Sequence, residues 1–286
     1  MSLLLNALER AKQEGGVLLM GVVNATPDSF SDGGLYLDPA AAKHRVDELL
    51  GAGADIIDIG GESTRPGAPA VPDDQQIARI RHALVYAAQE RRALVSVDTT
   101  RPAVAAYALG QGAAIVNDVS CLADDGLAHI AAQAGAALII MHARGTMTAM
   151  RGYSDAPGDA YRDVVVDVRA EWTAARERAV ARGMNPAEIA FDPGIGYMKN
   201  AAHSLELIRR LDELTALGAP IVVGPSRKSF IAKAVSSEAP PAARMGGTIA
   251  ACLAAVERGA AVLRVHDVFE VKQALDLARA IRGARA

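Results

Sequence analysis

Short apolar runs recur along the chain, each stopped abruptly by polar residues, with longer amphipathic stretches between them. The runs are Val17 to Val23, Asp55 to Ile59, Ala93 to Val97, Ala113 to Val116, Ala136 to Ile140, Glu188 to Phe191, Ala219 to Val223 and Ala261 to Val265. Continuous apolar runs of this length, bounded by turn residues, predict strands buried on both faces. The intervening stretches carry helix signals. Asp38 followed by Pro39 predicts an N-cap and a first-turn proline for a helix reaching about Leu50, closed by Gly51 and Gly53. Further helices are predicted over Asp73 to Gln89, from Pro102, over Leu127 to Gln133, Ala160 to Arg182, Ser204 to Leu217, Ala242 to Arg258 and Val268 to Arg282. In the longest, Val164, Val165, Val168, Trp172, Ala175 and Ala179 form one apolar stripe.

Eight strands alternating with eight helices predict a single (β/α)8 TIM barrel, because a helical crossover forces its flanking strands to run parallel. Composition does not break along the chain, so residues 1–286 read as one domain, with the barrel over about 17–282 and long loops after strands one and two. An open doubly wound sheet would want a glycine fingerprint between its first strand and helix. The loop NATPDSFSDGG (Asn24 to Gly34) lacks it, and Gly110-x-Gly112 precedes a strand instead of following one.

Overall composition is ordinary for a soluble protein: 286 residues, 51% apolar, 22% charged, net charge −3. This balance argues for neither nucleic acid nor a membrane surface as partner. Cys121 and Cys252 show no metal spacing or disulfide framework, which suits a reducing compartment. The N-terminal MSLLLNALERAKQEGG places its charges after the apolar piece, the reverse of a secretory signal, and no apolar run nears the ~20 residues of a membrane span. A soluble cytoplasmic protein is expected.

In such barrels ligands sit at the carboxyl ends of the strands. Those ends carry Asn24, Thr64 with Arg65, Asp98, Asn117, Met141, Asp192, Ser226 with Lys228, and Arg264 with His266. Singly, each has a plain structural role: a strand-end Asp caps the next helix, Asn117 makes a turn, His266 caps a helix, Met141 fills core. Together they predict a site. Asp98, Asn117 and Asp192 offer acceptors for a flat heterocycle with several N–H donors, and Lys228 offers a compensating charge. Thr64, Arg65, Ser226, Arg264 and His266 supply donors and positive charge for an anion such as phosphate, which barrels often bind after strands seven and eight. Asn24 offers a neutral oxygen acceptable to Mg²⁺ when water and phosphate supply the other ligands. The chain has no G-x-S-x-G elbow, H-E-x-x-H pair or P-loop.

Seven ordered motifs carry a family resemblance: MGVVNATPDSFSDGG (Met20 to Gly34), DIGGESTRPG (Asp58 to Gly67), SVDTTRP (Ser96 to Pro102), VNDVS (Val116 to Ser120), DPGIGYMK (Asp192 to Lys199), GPSRKSF (Gly224 to Phe230) and RVHDV (Arg264 to Val268). Over nearly its full length the chain resembles the dihydropteroate synthases, transferases of folate biosynthesis and targets of sulfonamides. The resemblance implies condensation of 6-hydroxymethyl-7,8-dihydropterin pyrophosphate with p-aminobenzoate, with Mg²⁺ as cofactor. It implies that Asn24 binds Mg²⁺ and pyrophosphate and that Thr64 contacts the phosphate. Asp98, Asn117, Asp192 and Lys228 would hold the pterin ring in the pocket bordered by Gly224, with Met141 on the ring's face. Arg264 and His266 would form the anion pocket, and Arg65, Pro66 and Ser226 would face p-aminobenzoate. Phe30 and Asp32 would lie on a first loop that closes over the site with the second.

The chain departs from the family at Tyr197, usually Phe, at Met198, often Gly, and at Ala143 and Thr146-Met147. By the resemblance these positions touch the benzoate rim more than the pterin floor, and they bear on sulfonamide sensitivity, not on the reaction class. The alternatives are a non-catalytic pterin-binding paralogue and a pterin-dependent methyltransferase, which lacks TPDSFSDGG and the Arg264/His266 pair. The small-residue helix Ala242 to Arg258 is expected either to pack on the barrel or to form a homodimer face.

Overall fold

A computed structural model describes residues 2–25, 38–63, 69–145, 154–235 and 237–283. Eight parallel strands follow one another around a barrel: β1 (Leu18–Asn24), β2 (Ile56–Gly60), β3 (Leu94–Asp98), β4 (Ile115–Asp118), β5 (Ala137–Met141), β6 (Ile189–Asp192), β7 (Val222–Val223) and β8 (Val262–Val265). The hydrogen-bonded order runs β6-β5-β4-β3-β2-β1-β8-β7. A parallel bridge between Phe191 and Ile221 joins the two ends, with Phe191 N–H donating to Pro220 O at 2.8 Å. β7 is shorter than its apolar run because Pro220 has no N–H to give to a ladder.

The interleaved helices are α2 (Pro39–Gly51), α3 (Asp73–Val85), α4 (Pro102–Gly110), α5 (Gly126–Ala134), α6 (Val164–Ala181), α7 (Ala201–Arg209) with α8 (Leu211–Thr215), α9 (Ser229–Ala234), α10 (Met245–Glu257) and α11 (Val268–Gly283). They follow an amino-terminal α1 (Leu3–Gln13). α6 starts at Val164 instead of Ala160, because Asp163 caps it, accepting from Val165 and Val166 N–H. The helix expected over Ser204 to Leu217 is two helices with a break at Arg210, and Asn200 starts the first of them through a reciprocal cap with His203.

The unexpected helix is α1. Its Leu4 and Ala7 pack against Leu18, Met20, Ile56, Ile115, Ala137, Ile139, Ala190, Val222 and Val262, plugging the amino-terminal end of the barrel. The charged side of its sequence masks that stripe.

That cluster reveals the strand parity. Successive side chains on a strand point to opposite faces. Leu18 and Met20 point inward, so Asn24 has inward parity too; Ile56 carries Asp58 and Gly60 with it, Ile115 carries Asn117, Ile139 carries Met141, Ala190 carries Asp192, Val222 carries Gly224, and Val262 carries Arg264. The opposite set, including Ile57, Val95, Val116, Ile140, Phe191 and Leu263, packs under the helices. There Trp172 stacks on Phe191 with ring centroids 4.4 Å apart and donates its indole N–H to Ile140 O at 3.0 Å. The barrel interior is thus apolar at the α1 end and polar at the other.

Candidate active site

Strand register places the polar groups in rows around the mouth. Asn24 is opposite Gly60, Gly60 opposite Asp98, and Asp98 opposite Asn117. Across the barrel Met141 is opposite Asp192. One step deeper lies Asp58, opposite Ser96.

Arg264 ties the two halves together. Its Nε donates to Asp58 Oδ2 and its Nη2 to Asp98 Oδ2, both at 2.7 Å, while Asn117 Nδ2 donates to Asp58 Oδ2 at 3.3 Å. Asp58 is fully buried, and its Oδ1 has no hydrogen-bond partner among the described residues; neither has Ser96 Oγ. Burial pushes the Asp98 carboxyl up to about 7 against the pull of Arg264, with Asp58 adding to the rise. A carboxyl poised there can donate or accept, which suits a heterocycle that presents both kinds of edge.

Asp192 is buried, and burial raises it against the opposing charge of Lys228 and a 2.7 Å hydrogen bond from Gly194 N–H. Lys228 is lowered to about 8, again by burial, with Asp192 opposing. Its ammonium donates to Ile195 O at 2.5 Å and lies 4.5 Å from the centre of the Tyr197 ring. Gly224 has no side chain to fill the space beside this ammonium: a Cβ there would stand 3.9 Å from Lys228 Nζ. Met141 packs with Val119, Ala143 and Tyr197, with Met198 against them, as an apolar wall facing the polar floor. A polar edge next to a flat apolar wall is what an aromatic heterocycle requires.

His266 accepts or donates at Nδ1 to Ser226 Oγ at 3.0 Å, and Ser226 Oγ also accepts from His266 N–H at 3.2 Å. Burial, reinforced by Arg264 and Arg227, pushes the imidazole down to about 3. His266 is therefore neutral near pH 7. The positive charge expected of this corner comes from the guanidinium of Arg264, which is already shared between Asp58 and Asp98. Arg227 braces the Ser226–Lys228 turn in a left-handed conformation, φ 60°, and its guanidinium forks onto Asp267.

Asn24, Asp98, Asn117, Met141, Asp192, Gly224, Ser226, Lys228, Arg264 and His266 all lie at the carboxyl ends of the strands. Thr64, Arg65, Pro66, Phe30, Asp32 and Thr146-Met147 lie outside the described residues. Sequence reasoning assigned no role to Asp58, although a carboxylate two residues before Gly60, in inward parity within an apolar run, was a usable signal. It also passed over Lys199 and its partner His142. A separate cavity of about 840 Å³ opens at the amino-terminal end, lined by α1, Arg92 and Arg279 among others, and shares no residue with this site.

The barrel and its mouth define an enzyme that holds a flat, hydrogen-bonding heterocycle. The model of the pterin-binding enzymes matches residues 20–266, and the chain belongs to that family. Within it, the chain is 41% identical to a dihydropteroate synthase of Synechocystis sp. over 92% of its own length and 89% of the relative's. It is 43% identical to that of Mycobacterium leprae, over 88% and 89%. Among solved structures, the Xanthomonas albilineans dihydropteroate synthase with 4-aminobenzoic acid superposes with a TM-score of 0.85 at 36% identity, covering 94% of each chain. The chain is a member of the dihydropteroate synthases, which are transferases.

Proposed function

We propose that this chain joins 6-hydroxymethyl-7,8-dihydropterin pyrophosphate to p-aminobenzoate at the barrel mouth, releasing pyrophosphate and 7,8-dihydropteroate. The observation that carries this is the inward-facing set Asp98, Asn117, Asp192 and Lys228 beside the Met141 wall, in a chain of this family. Asp98, Asn117 and Asp192 read the ring's N–H groups, and Lys228 balances the carboxylates and donates to a ring acceptor. Arg264 holds Asp58 and Asp98 in place and adds positive charge on the side from which pyrophosphate departs. His266, being neutral, serves as an N–H donor, with Ser226 fixing its ring.

Loss of pyrophosphate breaks the C–O bond to the exocyclic methylene and leaves a cation conjugated with the pterin. The buried carboxylates of Asp98 and Asp192 stabilise it by charge. The arylamine nitrogen, neutral near pH 7, attacks and then loses its proton to water, so no strong general base is needed. Positioning and electrostatics supply most of the acceleration.

Bound Mg²⁺ would supply charge neutralisation at the pyrophosphate. Asn24, at the end of β1, would hold it through its amide oxygen. Among the described residues no three His, Cys, Asp or Glu gather as a metal site. A single neutral protein oxygen suits an ion ligated mostly by phosphate oxygens and water. The parts taken by Thr64 at the phosphate, Arg65 and Pro66 at the benzoate, and Phe30 and Asp32 in closing the site rest on the family resemblance alone.

The chain works as one domain on this reading, and as a homodimer. α10 is rich in Ala and Gly, and the adjoining α11 exposes Phe269, Leu277 and Ile281 at 60%, 60% and 66%. Sedimentation at the monomer mass of 29.7 kDa would reject the dimer. A cytoplasmic location agrees with two free cysteines, Cys121 and Cys252. Among the described residues no helix is long and apolar enough to cross a membrane.

The deciding experiment mixes the protein with Mg²⁺, the pterin pyrophosphate and p-aminobenzoate and follows both products. Stoichiometric release of dihydropteroate and pyrophosphate, abolished by chelating Mg²⁺, is expected. Tight pterin binding with neither product would instead mark a non-catalytic binder.

A further inference from the structure

The loop after β6 ends in a cation for which the roles above leave no task. Lys199 is fully buried, and among the described residues no carboxylate forms an ion pair with it. Its ammonium lies 3.0 Å from His142 Nδ1, donates to Tyr197 O at 3.1 Å and approaches His142 O at 3.4 Å. His142 in turn meets Glu171 Oε2 through Nε2 at 3.0 Å. A carboxylate accepts only, so the imidazole proton sits on Nε2 and the Nδ1 lone pair faces the ammonium. Arg144 pairs with the same Glu171, and the hydrogen bonds from His142 and then Arg144 hold it ionised.

Lys199 thus fastens the loop after β6 to the end of β5. Between Asp192 and Lys199 the loop meets the site through Gly194 N–H on Asp192, Ile195 O under the Lys228 ammonium, the Tyr197 ring beside it, and the packing of Tyr197 and Met198 with Met141. A tether alone would not need a charge, and burying an ammonium costs several kcal/mol unless a counter-charge offsets it. The opposing charge that most favours ionised Lys199 is Asp192, reached through space from behind the floor.

We propose that Lys199 is a positioning residue for pterin recognition: it clamps the 193–198 loop against β5 and supplies positive charge behind Asp192. This rests on the reading that Asp192 holds the pterin. The groups facing Lys199 are Asp192 from β6, His142 and Arg144 from the end of β5, Glu171 from α6, His203 from α7, Tyr161 and Cys121 from the flanking loops, and Lys228 before α9. Burial lowers Lys199 to about 7, so its charge is present at and below neutrality, where Asp192 most needs help to stay ionised.

The test is Lys199→Met, which keeps length and removes charge. The KM for the pterin pyrophosphate should rise about tenfold while that for p-aminobenzoate moves less than twofold, the size expected for losing one charge interaction of about 1.4 kcal/mol. The acid limb of kcat/KM for the pterin should also move to higher pH, since Asp192 without the nearby cation binds its proton more tightly. Equal changes in both KM values, or an acid limb that stays put, would overturn the proposal. Asp192→Asn separates the two failures. If it leaves pterin KM unchanged, the reading of Asp192 itself falls; if it raises KM and Lys199→Met does not, only the Lys199 role falls. Should Lys199→Met not fold, Lys199→Gln removes the same charge while keeping an N–H donor for Tyr197 O, and the acid limb should shift the same way. No shift there overturns the proposal as well.

Discussion

Replacing Lys228 with Met should lower kcat/KM for the pterin pyrophosphate by a factor on the order of 10²–10³, the loss typical of removing one preorganised charged donor from a catalytic site. Four functions end together. Asp192 loses the charge that most opposes its burial, so its carboxyl rises further. Ile195 O loses its donor, and the Tyr197 face loses its cation. The pterin loses a donor. Met preserves most of the side-chain volume, so the fold should persist, and a thermal melt close to wild type is the control. Steady-state kinetics with each substrate varied in turn make the measurement. A variant within threefold of wild type would remove Lys228 from the site.

Gly194→Ala should be the most damaging single-methyl change in the barrel mouth. Gly194 has φ +67°, and a Cβ built there would sit 2.0 Å from His142 O. Neither side can yield cheaply. His142 N–H donates to Asp192 O at 2.8 Å, and its ring is held between Glu171 and Lys199. Left-handed backbone for a residue with a side chain costs roughly 1–2 kcal/mol, and overpacking typically about 1–3 kcal/mol more. A loss of about 2–5 kcal/mol in urea unfolding follows, together with at least a tenfold weaker pterin KM, because Gly194 N–H is the hydrogen bond on Asp192 Oδ1. Gly135→Ala is the matched control: its φ is +64° but nothing lies within 4 Å of the added methyl. It should cost only about 1–2 kcal/mol, the conformational part alone. If the two variants unfold alike, the close approach to His142 carries no energetic weight.

Much of this site was legible before any coordinates, and its errors are instructive. Strand ends could be placed because polar residues stop the apolar runs sharply, as at Asp98, Asp192 and Asn24. Boundaries drifted where strand and loop share composition. β4 runs from Ile115 to Asp118, so Asn117 is a strand residue hydrogen-bonded into the sheet instead of a turn residue beyond it. β7 shrank to Val222–Val223 because one proline outweighs an apolar run. α1 escaped notice because its two buried positions, Leu4 and Ala7, mean little until a barrel end exists for them to plug.

The sequence by itself determined the architecture and the identity of the chemical groups, because periodicity, helix caps and strand-end residues are local properties of the chain; which strand positions face inward came from the packed barrel. Tertiary structure alone decided how those groups share their charges. Arg264 reaches Asp58 across 206 residues of chain and Asp98 across 166, and those pairings exist only once β8 closes beside β1. The same closure makes His266 neutral and buries Lys199 beside a histidine instead of a carboxylate. Burial sets what a charge costs and distance sets what offsets it, and neither quantity exists in a one-dimensional chain.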